Sequence, residues 1–152
     1  SVDPWGNRRQ EITGCISMPG RRGLYLVRRA PQIMADALER SRQRTKARLG
    51  DDEFITHVVP HQANGLILDR LQRQLNDSAR SKAKVWNSIA ESGNTVSASI
   101  PLAMAQVQGE LPPGALVGMP AVGAGGPGYR PDVLSTGCVL VRIGGTADEN
   151  FD

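Results

Sequence analysis

Apolar residues recur along this chain with two different periods, and the switches between those periods mark out its elements. Gln32 to Leu49 carries Ile33, Met34, Ala37 and Leu38 at helical spacing with basic residues around the rest of the circumference, which predicts an amphipathic helix. Phe54-Ile55-Thr56-His57-Val58-Val59 is short, apolar and rich in β-branched types, and Pro60 closes it, so it predicts a buried strand. Leu66, Ile67, Leu71 and Leu75 return to helical spacing, with Asn64 or a neighbour placed to cap that helix. Ala83 to Trp86 predicts a short strand. Ser97, Ala98 and Ser99 then open a helix containing Ile100, Leu102, Ala103, Met104 and Val107, with Pro101 in the first turn, where a proline fits. After Pro112-Pro113-Gly114, Ala115 to Met119 predicts another strand, and Cys138 to Ile143 closes the sheet. Ahead of all these, an irregular stretch with Asp3, Pro4, Trp5 and Gly6 leads to a short segment near Ile12. The alternation predicts an α/β architecture, one sheet with helices on its faces. Gly144 to Asp152 is polar and is expected to fray.

Composition narrows the class. In 152 residues, 39% hydrophobic side chains supply a core although only 4% are aromatic. No run approaches the roughly 20 apolar residues of a membrane span, and no charged-then-apolar leader is visible. Two cysteines without a spacing pattern argue against a disulfide framework and favour a reducing compartment, so the expected location is cytoplasmic. The histidines and cysteines do not cluster at ligand spacing, so neither a metal nor another cofactor is expected. The first residue is Ser1 rather than Met, as in a processed, proteolysed or truncated product. The net charge of +3 is concentrated early, in Arg8-Arg9, Arg21-Arg22, Arg28-Arg29 and the series Arg40, Arg42, Arg44, Lys46 and Arg48. Few aromatics accompany these charges and no nucleic-acid motif appears.

Candidate chemistry lies in two corners. His61-Gln62-Ala63-Asn64 follows the strand ending at Pro60, at the carboxyl end of a strand, where ligands bind in open α/β sheets. Glu91-Ser92-Gly93-Asn94-Thr95 places an asparagine beside a glycine able to take a positive φ. A histidine and an asparagine together can hold and polarise one carbonyl oxygen, which suggests acyl chemistry on a thioester. His57 lies inside the strand run and reads as structural. Cys15 sits in Glu11 to Pro19 with no helix start to lower its pKa, and Cys138 sits in an apolar strand run, so both read as structural thiols.

His61 to Asn64, Gly93-Asn94-Thr95 through Ser99-Ile100-Pro101, and Gly123-Ala124-Gly125-Gly126 ahead of Cys138 to Ile143 together resemble the carboxyl-terminal half of a β-ketoacyl-ACP synthase III, from about Asp3 to Ile143. That family belongs to the thiolase-like condensing enzymes. The resemblance implies one half of a layered α/β/α/β/α fold, with residues 1–143 as the half-domain and 144–152 as a tail. It implies a cysteine that accepts an acyl group from a thioester, and a His and an Asn that stabilise charge on a second thioester. The matching catalytic residues are His61 and Asn94. Asn64 and the glycine-rich loop of Gly123, Ala124 and Gly125 would line the substrate site.

The family's nucleophilic cysteine lies in the amino-terminal half, which this chain does not include. The implied partners are therefore that cysteine-bearing half, on the same or a separate polypeptide, an acyl-CoA or acyl carrier protein thioester, and a second thiolase-fold unit in a homo- or heterodimer. The basic helix has two readings, a solvated face or a surface for the acidic helices and phosphopantetheine arm of a carrier protein. Two departures stand out: Leu66 occupies a position where housekeeping members often carry an Arg, and Pro127 to Asp132 lengthens the connection to the last strand. Specificity is thus expected to differ from that of primary fatty-acid synthesis, as in secondary metabolism. The implied reaction is decarboxylative Claisen condensation, with acyl transfer to an alcohol or amine as a variant. A non-catalytic thiolase-fold subunit that stabilises or gates a catalytic partner is the alternative.

Overall fold

Val58 and Val59 are adjacent, both fully buried, and face opposite ways, which places the strand that carries them inside the molecule. The computed structural model of the chain describes residues 21–50, 54–77, 83–124 and 134–144. Its elements run α1 (Arg21–Leu49), β1 (His57–Val58), α2 (Gly65–Asp77), β2 (Lys84–Val85), α3 (Ile89–Ser92), α4 (Ser99–Val107), β3 (Leu116–Ala124) and β4 (Leu134–Arg142), with single 3-10 turns at Val96–Ala98 and Gln108–Glu110. The sheet order is β2-β1-β3-β4; β1 is parallel to both neighbours, and β3 and β4 are antiparallel.

Side-chain alternation divides the core in two. Val58, Ile55, Leu116 and Val122 meet Ala30, Met34 and Leu38 of α1 and Ile67, Leu71 and Leu75 of α2. Val59 and Val117 face the other way, against Ala103 and Val107 of α4 together with Leu111 and Ala115. With both faces covered, β1 needs apolar side chains at consecutive positions, which is why its sequence is a continuous run.

Several boundaries differ from the sequence expectation for identifiable reasons. The first helix begins at Arg21, well before Gln32, and carries Pro31 in its interior. A proline there removes the bond to the carbonyl four residues back and costs about 3 kcal/mol. That carbonyl belongs to Val27, and Arg70 of α2 donates to it from Nη1 at 3.1 Å, while Ala30 and Pro31 are fully buried. Tertiary partners thus carry the helix through a proline that lies just outside the expected span. In α2 the buried face is Ile67, Leu68, Leu71 and Leu75, and Leu66 points outward at 61% exposed. Phe54 is likewise exposed rather than part of a buried strand. The last strand starts at Leu134 rather than Cys138 and ends the sheet among the described residues, so Cys138 is only half-buried and Val139 is exposed. The helix expected to open at Ser97 begins at Ser99, after a 3-10 turn. The segment near Ile12, Cys15, the Pro127 to Asp132 connection and the tail beyond Gly144 lie outside the described residues.

At Gly118 β3 lies close against Leu38 of α1. A Cβ there would overlap Leu38 Cδ2 and would stand 3.4 Å from Ile55 Cγ2 and 3.5 Å from Leu140 Cδ2. Leu38 would have to shift, and Ile55 and Leu140 stand against the same point. Gly118→Ala is therefore expected to destabilise the protein by about 1–3 kcal/mol through overpacking, read as a lower urea midpoint. An unchanged midpoint would show that α1 yields at no cost.

Candidate functional site

Backbone pairing with β3 fixes the corner that carries His61. Beyond the regular ladder, Thr56 N donates to Leu116 O at 3.0 Å, Val59 N to Gly118 O at 2.9 Å, and His61 N to Pro120 O at 2.9 Å. His61 is thus held by the sheet at the carboxyl end of β1, while the buried Pro60 before it turns the chain. Ala63 N donates back to His61 O at 2.9 Å, tightening the corner. Asn64 then caps α2: its Oδ1 accepts the Leu66 N–H at 2.9 Å and its carbonyl accepts the Ile67 N–H at 3.0 Å.

Gln62 is a buried polar side chain with complete partners. Its Nε2 donates to Pro60 O at 2.9 Å and Trp86 O at 3.2 Å, and its Oε1 accepts the Ser88 N–H at 2.9 Å. It fastens the His61 corner to the segment after β2. A glutamine in mid-corner gives no sign of this in the sequence, because its partners at Trp86 and Ser88 are distant along the chain.

The second corner follows α3. Gly93 has φ 64° and ψ −166°, a region open essentially to glycine alone, and its N–H closes α3 on Ile89 O at 3.0 Å. Asn94 Oδ1 accepts the Val96 N–H at 2.9 Å, and Nδ2 donates to Ala63 O at 3.1 Å. These two bonds assign the amide orientation, and the second joins the two corners. An amide nitrogen carries two hydrogens, so Asn94 keeps one for a further acceptor. Val96 has φ 53°, which a β-branched side chain rarely adopts. The segment that aims Asn94 is held against its own preference, as segments at functional sites often are.

His61 Nδ1 lies 2.6 Å from Ser99 Oγ, at the first residue of α4, and Ser99 Oγ accepts the Gln62 N–H at 3.3 Å. Burial pushes the imidazole pKa below its ordinary value of 6.5, so His61 is neutral at pH 7. A neutral imidazole and a primary amide, brought to one end of a sheet, can donate hydrogen bonds to an oxygen on which charge develops.

The remaining expected site residues are placed differently. Gly123 and Ala124 belong to β3 and pair with Ser135 and Leu134, so they are strand residues rather than a loop, and Gly125 lies outside the described residues. The strand runs on because β4 supplies a full partner ladder to its end. Since β3 is parallel to β1, Gly123 and Ala124 still lie toward the His61 end of the sheet. His57 is half-buried, its Nδ1 3.0 Å from Thr56 Oγ1. Burial raises the Cys138 thiol above its usual value, the opposite of activation. A cleft of about 480 Å³ between α1, α2 and β1, lined by Gln32, Leu38, Ile55, Val58 and Leu75 among others, includes no residue of either corner. Among the described residues no group of three or more His, Cys, Asp or Glu could hold a metal, and no helix is long and apolar enough to cross a membrane.

Comparison with known proteins gives the family and the fold. Residues 45–143 match the 3-oxoacyl-[acyl-carrier-protein (ACP)] synthase III C-terminal family. The chain is 35% identical over 132 residues to the β-ketoacyl-[acyl-carrier-protein] synthase III of Aquifex aeolicus, covering 85% of this chain and 37% of the relative. It is 37% identical over 103 residues to a 3-oxopimeloyl-[acyl-carrier-protein] synthase of Rhodothermus marinus, covering 68% of this chain and 28% of that protein. Among solved structures, 3-oxoacyl-(acyl carrier protein) synthase III from Pseudomonas aeruginosa superposes with a TM-score of 0.60 at 33% identity, covering 81% of this chain and 34% of that one. The enzyme from Thermus thermophilus, at 24% identity and a TM-score of 0.62, shows the same thiolase-type fold. The chain spans little more than a third of the Aquifex relative's length. Over that span it corresponds to the carboxyl-terminal part, and it belongs to the 3-oxoacyl-[acyl-carrier-protein] synthase III C-terminal family.

Proposed function

We propose that this chain supplies the His and Asn of an acyl-thioester condensing site whose nucleophilic cysteine lies in the amino-terminal half of the fold. The observation that carries the reading is the hydrogen bond from Asn94 Nδ2 to Ala63 O, which locks the Asn94 corner to the His61 corner at the carboxyl end of β1. In this reading the cysteine thiolate takes an acyl group from its thioester carrier and releases the carrier's thiol. A second thioester, bearing a carboxylate next to its α-carbon, then loses CO2, and the electron pair left behind forms an enolate. His61 and Asn94 donate hydrogen bonds to the enolate oxygen. The α-carbon attacks the acyl carbonyl, a C–C bond forms, and the cysteine leaves as thiolate.

Asn64, Gly123, Ala124 and Gly125 are proposed to line the substrate's path. Exposed Arg28, Arg29, Arg40, Arg44 and Arg48 on α1 would draw an acidic carrier protein. A partner thiolase-fold unit completes the assembly.

The test uses the protein assembled with its cysteine-bearing half. Asn94→Ala is expected to slow condensation by about 100- to 1,000-fold, the usual cost of removing one oxyanion donor, while acylation of the cysteine, followed by intact mass, proceeds. Condensation at the unaltered rate would assign the chain instead to a non-catalytic subunit.

A further inference from the structure

We infer that Ser99 is a positioning residue that fixes the His61 imidazole in the tautomer with its proton on Nε2, an inference that rests on the catalytic reading of His61. Ser99 is 2% exposed, and its Oγ meets two groups, His61 Nδ1 at 2.6 Å and the Gln62 N–H at 3.3 Å. A hydroxyl has one hydrogen to give and two lone pairs to fill. The Gln62 N–H can only donate, so it occupies a lone pair. The hydroxyl hydrogen is buried and needs an acceptor, since a buried donor left unmet costs about 1–3 kcal/mol.

Among the described residues His61 Nδ1 is the acceptor within reach. Were the ring proton on Nδ1 instead, it would donate to Oγ and leave the hydroxyl hydrogen without a partner. The arrangement therefore selects Nδ1 as acceptor and Nε2 as donor, following the general rule that the bond made by one ring nitrogen decides what the other carries. Burial, which keeps the ring neutral, preserves this choice near neutral pH.

The consequence for the reaction is specific. Nε2 is the nitrogen left to face a ligand, and in this tautomer it offers the N–H that an enolate oxygen requires. Ser99 begins α4, directly after the turn that follows Asn94, so a single stretch of chain places one donor and orients the other. Gln62, through its backbone N–H, holds the Ser99 oxygen in turn.

The first measurement is a two-bond proton–nitrogen correlation spectrum of the assembled, histidine-labelled protein near neutral pH, with the His61 signal identified by its loss in His61→Ala. The expected pattern is that of a ring protonated at Nε2. In Ser99→Ala the pattern should become a mixture of tautomers, and condensation kcat should fall by roughly 10- to 100-fold with KM little changed. That is less than the ~10⁴-fold loss seen where a neighbour enforces the wrong tautomer. A ring protonated at Nδ1 in the unaltered protein would overturn the inference whether or not the variant folds, as would Ser99→Ala retaining the pure Nε2–H pattern. Failure of the catalytic reading would appear separately, as His61→Ala condensing normally while the spectrum still reports how Ser99 holds the ring.

Discussion

His61→Ala is expected to lower condensation by about 10³-fold in the assembled protein while the cysteine still becomes acylated, since the two steps place different demands on the site. Acyl loading needs the thiolate and a place for the acyl chain, neither of which His61 provides in the proposed mechanism. Condensation needs the enolate oxygen of the second thioester to be stabilised as CO2 departs, whereas the charge in the loading step falls on the oxygen of the tetrahedral intermediate at the cysteine, a different oxygen from the one His61 and Asn94 serve in this reading. The substitution removes the Nε2–H donor and also strips the Ser99 hydroxyl of its acceptor at 2.6 Å, so its effect should exceed that of removing Asn94 alone. Because both donors serve one oxygen, the double variant should fall short of the product of the two single effects. Intact mass reports the acyl-cysteine and product formation reports the second step. Equal loss of both steps would move His61 from enolate stabilisation to activation of the cysteine.

Much of this arrangement was legible in the sequence because it is local. The strand run ending at Val59 and Pro60 announces a corner, and Gly93 beside Asn94 announces a conformation that glycine supplies. Asn64 ahead of an apolar periodic stretch announces a cap, which the structure bears out with a 2.9 Å bond. What escaped the sequence depends on contacts between distant residues. The helix before Gln32 escapes because Pro31 interrupts it and only the distant Arg70 takes the carbonyl that Pro31 orphans. Ser99 reads as a helix opener, and its tie to His61, 38 positions away, carries no periodic signature. Gln62 likewise gains its role from Trp86 and Ser88. Gly123 and Ala124 are a loop in what the resemblance implies, and the ladder to β4 makes them strand.

Leu71→Ala is expected to destabilise the protein by about 2–5 kcal/mol, the range for truncating a buried leucine when the cavity cannot collapse. Leu71 is fully buried in the core formed with Met34, Val58, Ile67 and Leu75, where α1, α2 and β1 meet, so the space it vacates is walled on several sides. Leu66→Ala in the same helix supplies the contrast: at 61% exposed it should change stability by no more than about 0.5 kcal/mol. Urea unfolding of the two variants, with the slope of the transition unchanged, reads the difference directly. Equal midpoints would mean that α2 does not pack as described. The site is coupled to this core, because α2 is capped by Asn64 and the adjacent Ala63 carbonyl receives the Asn94 amide. A core variant that loosens α2 should therefore impair condensation even in the fraction that remains folded. The exposed Leu66 variant should leave that folded fraction as active as the unaltered protein.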